Sequence, residues 1–373
     1  MTAKVWYTKL GSHKVSLLDQ VEKLLKKAGL EKAIAPRDLV AIKLHFGEPG
    51  NLAYIRPPYI RRTVDLIKQY GGRPFLTDAN TLYVGQRANS VDHLEAAIRN
   101  GFDYAVAGAP LIIADGLTGK DYVKVAITGE HFKEVNIGSA AYHADAMVVM
   151  SHFKCHELTG FGGAIKNIGM GLGSRSGKQQ MHTDVLPRIK DEKCTGCAKC
   201  SKWCPADAIT MAPWTGNKKG QKAVIDEKKC WGCGECAVTC LFEAINISWR
   251  TTPEAVQEKM AEYALGAVQG KTDKVVYISF LMDISPECDC YGHNDMPIVQ
   301  DLGILASSDP VAIDRACADL VNAVPALPGS LIEGISPGED KFARVHPGIN
   351  SWAQLEHAAK IGLGQMEYEL IQV

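Results

Sequence analysis

The sequence predicts an α/β fold, a mostly parallel sheet flanked by helices, interrupted by a small α+β insert. Three observations predict it. Strand-like and helix-like runs alternate over residues 1–186, cysteine-rich residues 187–249 differ sharply in composition, and the alternation resumes over 250–373. A strand–helix–strand rhythm of this kind builds a parallel sheet with helices on its faces. At 373 residues the chain is too long for one ordinary core, in keeping with three parts.

In order, Asp38–Phe46 (DLVAIKLHF) reads as a strand, and Pro58–Tyr70 repeats apolar residues at helical spacing. Arg73–Thr77 is a second strand, ending at Asp78. Asn89 or Ser90 caps a helix that runs to about Asn100. Val123–Ile127 and Ala146–Met150 are further β-rich runs. Gly160–Gly177 (GFGGAIKNIGMGLGSRSG) is so rich in glycine that it reads as an irregular loop built for close backbone approach. After the cysteine-rich stretch, Thr251–Glu254 has the form of a capping box, and Pro253 suits the first turn of a helix running to about Val268. Lys274–Met282 is a strand, Asp309–Pro310 opens a helix to about Val324, and a last helix covers Trp352–Ile361.

Composition excludes several classes. The chain is 46% hydrophobic and 22% charged with a net charge of −1, so no strong field gathers nucleic acid or an anionic membrane. Residues 1–10 carry no signal-peptide core, and no apolar run approaches the roughly 18 residues of a membrane span. The expectation is a cytoplasmic protein, and its twelve cysteines then read as metal ligands or redox groups in place of disulfides.

Eight of those cysteines form two runs of one pattern. The first is Cys194-x2-Cys197-x2-Cys200-x3-Cys204-Pro205 and the second is Cys230-x2-Cys233-x2-Cys236-x3-Cys240. This is the bacterial ferredoxin spacing written twice, in which three thiolates of a run hold one 4Fe–4S cubane and the fourth reaches the other. Cys194, Cys197, Cys200 and Cys240 are therefore assigned to one cluster, and Cys230, Cys233, Cys236 and Cys204 to the second. Backbone N–H groups at Gly196, Gly232 and Gly234 are candidate donors to cluster sulfur. Zinc also uses C-x2-C, but as two pairs, and does not call for a doubled four-cysteine run. Leu241 stands where a proline usually follows the second run, which alters a turn and leaves the ligands untouched. Between Asp191 and Trp249 there are seven acidic and eight basic side chains, so the insert is near neutral. Mobile ferredoxins are strongly acidic, and the balance here favours a wire fixed within the protein.

Four cysteines remain. Cys317 lies in an apolar helical pattern and reads as core. Cys155, in Ser151–Glu157 (SHFKCHE), and the Cys288-Asp-Cys290 pair each follow a predicted strand, as do His45, Asp78, His152, His156 and Asp283. In an open parallel sheet, binding groups gather outside the carboxyl ends of the strands. These residues are expected to converge on one cleft, with Lys166 and Asn167 of the glycine-rich segment as its wall. Cys155, His156, Cys288 and Cys290 are candidates for a further metal or third Fe–S centre. The cysteine pair reads equally as a redox-active dithiol, and both readings stay open. Lys166, His45 and Asp78 are the candidates for substrate binding or proton transfer.

Taken together, KLHFGE (43–48), DANTLYVGQR (78–87), HFKCHELTGFGGAIKNIGMG (152–171), the two cysteine runs, CDCY (288–291) and LASSDPVAIDRA (305–316) resemble the domain-of-unknown-function 362 family over nearly the whole chain. The resemblance implies a family domain split by a ferredoxin insert. It supports His45, Asp78, Cys155, His156, Lys166, Cys288 and Cys290 as site candidates, and it implies no reaction. The function expected is iron–sulfur electron transfer: an oxidoreductase passing electrons from two 4Fe–4S clusters to a substrate or metal in the cleft. The alternative is an electron-transfer subunit, or a redox-sensing or assembly protein, without chemistry of its own. The expected partner is a redox protein or a small electron donor or acceptor, with neither nucleic acid nor membrane, and a homodimer is compatible with the sequence.

Overall fold

The computed structural model describes residues 2–11, 15–82, 85–182, 186–204, 206–214, 220–230, 234–246 and 251–373. Eight strands form the central sheet: β1 (Ala3–Lys9), β2 (Leu39–Lys43), β3 (Arg73–Asp78), β4 (Leu111–Ile113), β5 (Ala146–His152), β6 (Val275–Leu281), β7 (Gly303–Ser307) and β8 (Tyr368–Gln372). Their spatial order is β8-β1-β7-β6-β5-β2-β3-β4. The run β6-β5-β2-β3-β4 is parallel throughout, with Val40 opposite Ala146 and Leu39 opposite Arg73. Only β7, antiparallel to both β1 and β6, breaks the pattern. The fold is thus α/β with a mostly parallel sheet.

Strand alternation divides the interior into two cores. Ala41, Met147 and Val149 face one side, where the helices Ala164–Leu172, Pro253–Val268 and Pro310–Asn322 pack. Val40, Ile42, Val148 and Met150 face the other, against the helices Leu17–Lys27 and Pro57–Gln69. Cys317 lies fully buried in the first core. Helix starts obey local chemistry. Asn89 caps Ser90–Arg99, and Asp309 caps Pro310–Asn322 with Pro310 at the first turn. Among the described residues no helix is long and apolar enough to cross a membrane.

Three expectations are corrected. Residues 160–177 are not an irregular loop: Gly160–Gly162 pairs as a strand with Lys154–His156, and the helices Ala164–Leu172 and Arg175–His182 follow. The glycines serve packing. A Cβ at Gly169 would run into the Met260 carbonyl of the neighbouring helix. The helix start is held from elsewhere in the fold, Asp314 accepting the N–H groups of Ala164 (2.6 Å) and Ile165 (2.9 Å). The strand expected at Val123–Ile127 is Tyr122–Ala126, paired with Glu134–Gly138 outside the main sheet. The cap of Pro253–Val268 is Thr252, one residue later than the capping-box pattern placed it.

The described residues of 187–249 include a small core of Cys200, Ile209, Ala223, Cys236 and Ile245. Their described backbone repeats every 36 residues: Cys194 N–H bonds to Lys190 and Cys230 N–H to Asp226, while Asp226 N–H bonds to Ala208 and Lys190 N–H to Ala244. The strands cross-pair, Arg188–Ile189 with Ile245–Asn246 and Ile209–Pro213 with Gln221–Ile225. Pro205, Gly232 and Cys233 lie outside the described residues.

Candidate functional site

The parallel run of the sheet sets where chemistry can gather. Lys43, Asp78 and His152 are the last residues of β2, β3 and β5, and the loop after β6 carries Cys288 and Cys290. Because β6, β5, β2 and β3 are parallel neighbours, their carboxyl ends share one edge. A cavity of about 760 Å³ opens there, lined among others by His45, Asp78, His152, His156, Lys166, Cys288 and Cys290.

Eight of the ten residues expected at the cleft, His45, Asp78, His152, His156, Lys166, Asn167, Cys288 and Cys290, therefore meet. Cys155 does not, and its assignment to a shared metal site is corrected. In the strand Lys154–His156, alternation turns Lys154 and His156 to the cavity and Cys155 to the core, where it is fully buried and burial pushes its thiol up. Asp283 also stays out, its carboxylate pairing at the surface with Arg56 at 3.3 Å.

The cavity wall is a buried charge network that the sequence did not announce. Lys43 Nζ lies 3.0 Å from Asp78 Oδ1 and donates to Asn167 Oδ1 at 2.6 Å. Arg87 Nε lies 2.8 Å from Glu48 Oε2, and its Nη1 lies 3.6 Å from Asp78 Oδ2. Burial alone would raise the Asp78 carboxyl, but Lys43 and His93 outweigh it and hold it well below the carboxylate range. Asp289, fully buried between the two cysteines, accepts from His152 Nδ1 (2.8 Å) and Lys154 Nζ (2.9 Å). Burial lowers Lys178, another wall residue, to about 8, and raises Asp115, with which it interacts, to about 6. Lys43, Lys154, Lys178, Arg87, Glu48 and Asp289 were missed because each is ordinary in sequence. The one available signal was their closeness to predicted strand ends.

Cys288 carries the acidified thiol of the wall. The Cys290 thiol donates to it, and this, with Lys166 Nζ at 3.7 Å and His156, overcomes burial and holds Cys288 well below the usual thiol value. Cys290 is pushed up as the donor of the pair. Burial lowers Lys166, but the two cysteines reverse that and raise it, so Cys288 and Lys166 each favour the charged form of the other.

A metal on these residues does not fit. His156 Nδ1 accepts the N–H of Leu158 (3.1 Å) and His45 Nδ1 that of Gly47 (3.0 Å), which leaves the ring proton of each neutral imidazole on Nε2. A ligating histidine does the reverse, donating its second ring nitrogen outward. With Cys155 turned away and Lys166 against Cys288, two sulfurs remain, too few for a closed site. Both imidazoles instead present N–H donors. Elsewhere among the described residues, His131, Glu262 and His357 bring donor atoms within 4.8 Å. The Glu262 carboxylate there is already used, accepting the N–H groups of residues 130, 131 and 132 at 2.6, 2.9 and 2.8 Å and His357 Nε2 at 3.1 Å. It ties that loop to its helix.

Four cysteines of the 187–249 stretch form a second constellation. Cys194, Cys197, Cys200 and Cys240 line one small cavity. Cross-pairing of Arg188–Ile189 with Ile245–Asn246 carries Cys240 to the other three. The four-thiol donor set around one cavity fits a 4Fe–4S cluster. The Cys204 and Cys240 sulfurs accept the N–H groups of Ala208 and Ala244, each at 3.3 Å. Gly196 and Gly234 take left-handed conformations, φ 70° and 75°, at the turns where the sequence predicts N–H donors. The helix Arg175–His182 joins the two constellations: Lys178 and His182 line the large cavity, while Gln179 packs against Gly234, beside the Cys236 helix Glu235–Thr239.

Among solved structures, the lactate racemase apoprotein from Thermoanaerobacterium thermosaccharolyticum matches at 13% identity and a TM-score of 0.39, over 75% of this chain and 51% of that one. A Thermotoga maritima structural-genomics protein matches at 10% identity and a TM-score of 0.36, over 77% and 54%. The chain spans about half the length of either, and likeness at this level carries no statement about activity. Residues 40–319 match DUF362, described as a domain of unknown function. That stretch is most of the chain and contains every residue of the cavity and both cysteine runs, so the protein belongs to the DUF362 family.

Proposed function

We propose that this protein is an iron–sulfur electron-transfer oxidoreductase that passes electrons from two 4Fe–4S clusters to a substrate in the 760 Å³ cavity at the sheet edge. Cys194, Cys197, Cys200 and Cys240 would hold one cluster, and Cys204, Cys230, Cys233 and Cys236 the other. The observation that carries the reading is the strand cross-pairing that sets Cys240 beside the first three cysteines of the opposite run. When bound, the clusters would supply one-electron chemistry. The protein's own residues do the rest. Lys166 and the His45 and His156 N–H donors favour an anionic or polarised substrate, and Cys288 stands as a thiolate beside it. The Arg175–His182 helix touches both regions, with Lys178 and His182 at the cavity and Gln179 against Gly234 at the start of the Cys236 helix, which supports a short path between them. Exposed Leu241 and Phe242 beside Cys240 suit docking of a redox partner.

Iron and acid-labile sulfide on anaerobically purified protein test the reading. About eight of each per chain are expected, falling to about four in Cys240→Ser. Colourless, iron-free protein after reconstitution overturns it, and about twelve irons would call for a third cluster.

A further inference from the structure

We infer that Cys288 and Cys290 are a reversible dithiol–disulfide couple that stores two electrons at the cavity wall, an inference that rests on the reading above. The geometry of the Cys-Asp-Cys segment carries it. Asp289 is turned away from the cavity and held by His152 and Lys154, and its carbonyl accepts the Glu48 N–H at 3.0 Å. Residues on either side of a residue so held project together, and both sulfurs line the cavity. The Cys288 carbonyl accepts the Tyr291 N–H at 3.1 Å, closing the segment into a turn. The Cys290 thiol faces Cys288 as its hydrogen-bond donor. Among the described residues no other cysteine lines this cavity.

The chemistry balances within the chain. The Cys288–Cys290 S–S bond breaks on receiving two electrons and one proton. Cys290 takes the proton and becomes a thiol, and Cys288 departs as a thiolate against the Lys166 ammonium 3.7 Å away. Two reduced 4Fe–4S clusters held by the eight cysteines, each giving up one electron, would be the reductant. The pair thereby converts single-electron supply into a two-electron step where a substrate would sit.

The test uses the full-length, cluster-loaded protein, oxidised anaerobically with diamide, desalted and titrated with dithionite. Visible bleaching reports the clusters, and alkylation with mass spectrometry of the 288–290 peptide reports the pair. Wild type should take up about four electrons per chain, and Cys290→Ser and Cys288→Ser about two, with equal bleaching in all three. The oxidised wild-type peptide should resist alkylation and regain two labels after reduction. Equal bleaching with two electrons in wild type, and with both cysteines alkylated after diamide, overturns the inference and leaves the electron-transfer reading standing. Absence of bleaching defeats that reading and the inference together. Cys290→Ala, read in the same way, covers misfolding of a serine variant.

Discussion

Replacing Lys166 with glutamine should make Cys288 a weaker acid. Lys166 Nζ lies 3.7 Å from Cys288 Sγ inside a buried wall. At that distance and an effective dielectric of about 20, a unit charge pair is worth about 4–5 kcal/mol, or about 3 pK units. Water entering the vacated space and the hydrogen bonds from Cys290 and His156 retain part of the stabilisation, so the expected rise is about 1–3 units. The sign is fixed by the chemistry: removing a cation disfavours the thiolate, so its formation moves to higher pH. The assay is the pH dependence of iodoacetamide alkylation at Cys288, read by fragmentation of the 288–290 peptide so that label on Cys288 is told apart from label on Cys290. Lys166→Arg keeps the charge and should stay close to wild type. A Lys166→Gln midpoint within about 0.3 unit of wild type would refute the ion-pair account and leave the hydrogen bonds from Cys290 and His156 as the main cause.

Other outcomes follow from the same geometry. Asp78→Asn leaves Lys43 buried without its counter-charge and should cost about 3–5 kcal/mol in denaturant unfolding, while Lys43→Met combined with Asp78→Leu should recover much of it. Gly169→Leu drives a side chain into the Met260 carbonyl and should cost about 1–3 kcal/mol; an unchanged unfolding midpoint would mean that the two helices are not in close contact. Cys155→Ser places a hydroxyl in an apolar core, costing about 1–3 kcal/mol, and should leave both iron content and Cys288 alkylation unaltered. The Asp314 carboxyl, raised to about 7 by burial, holds a proton in the folded chain that the unfolded chain has released, so its contribution lowers stability as pH rises from about 4 to 7. Asp314→Asn keeps one of the two acceptors, since Ala164 and Ile165 bond to different carboxylate oxygens, and the drop in thermal midpoint between pH 5 and pH 7 should shrink.

Local chemistry is legible in sequence where a few neighbouring residues decide it. The helix caps at Asn89 and Asp309, the strands ending near Lys43 and Asp78, and the two cysteine runs all depend on spacings of a few residues. The cleft was legible to the same extent, because strand ends announce themselves and His45, Asp78, His156, Lys166, Cys288 and Cys290 lie at or near them. Glycine misled at 160–177. Its low helical propensity is a local cost, whereas the close helix contact at Met260 and the Asp314 cap that offset it come from about 90 to 150 residues away.

The amino-acid sequence by itself determined the alternation of strands and helices, the doubled cysteine spacing and which residues stand near strand ends, since each follows from periodicity or short-range chemistry. Tertiary structure alone decided that β7 runs antiparallel, that Cys155 faces the core while Cys288 and Cys290 face the cavity, and that Lys43, Arg87 and Lys154 are buried with Asp78, Glu48 and Asp289. The physical reason is that a buried charge is tolerable only beside its partner, and these partners are about 35 to 135 residues apart in the chain, a pairing that no local pattern encodes.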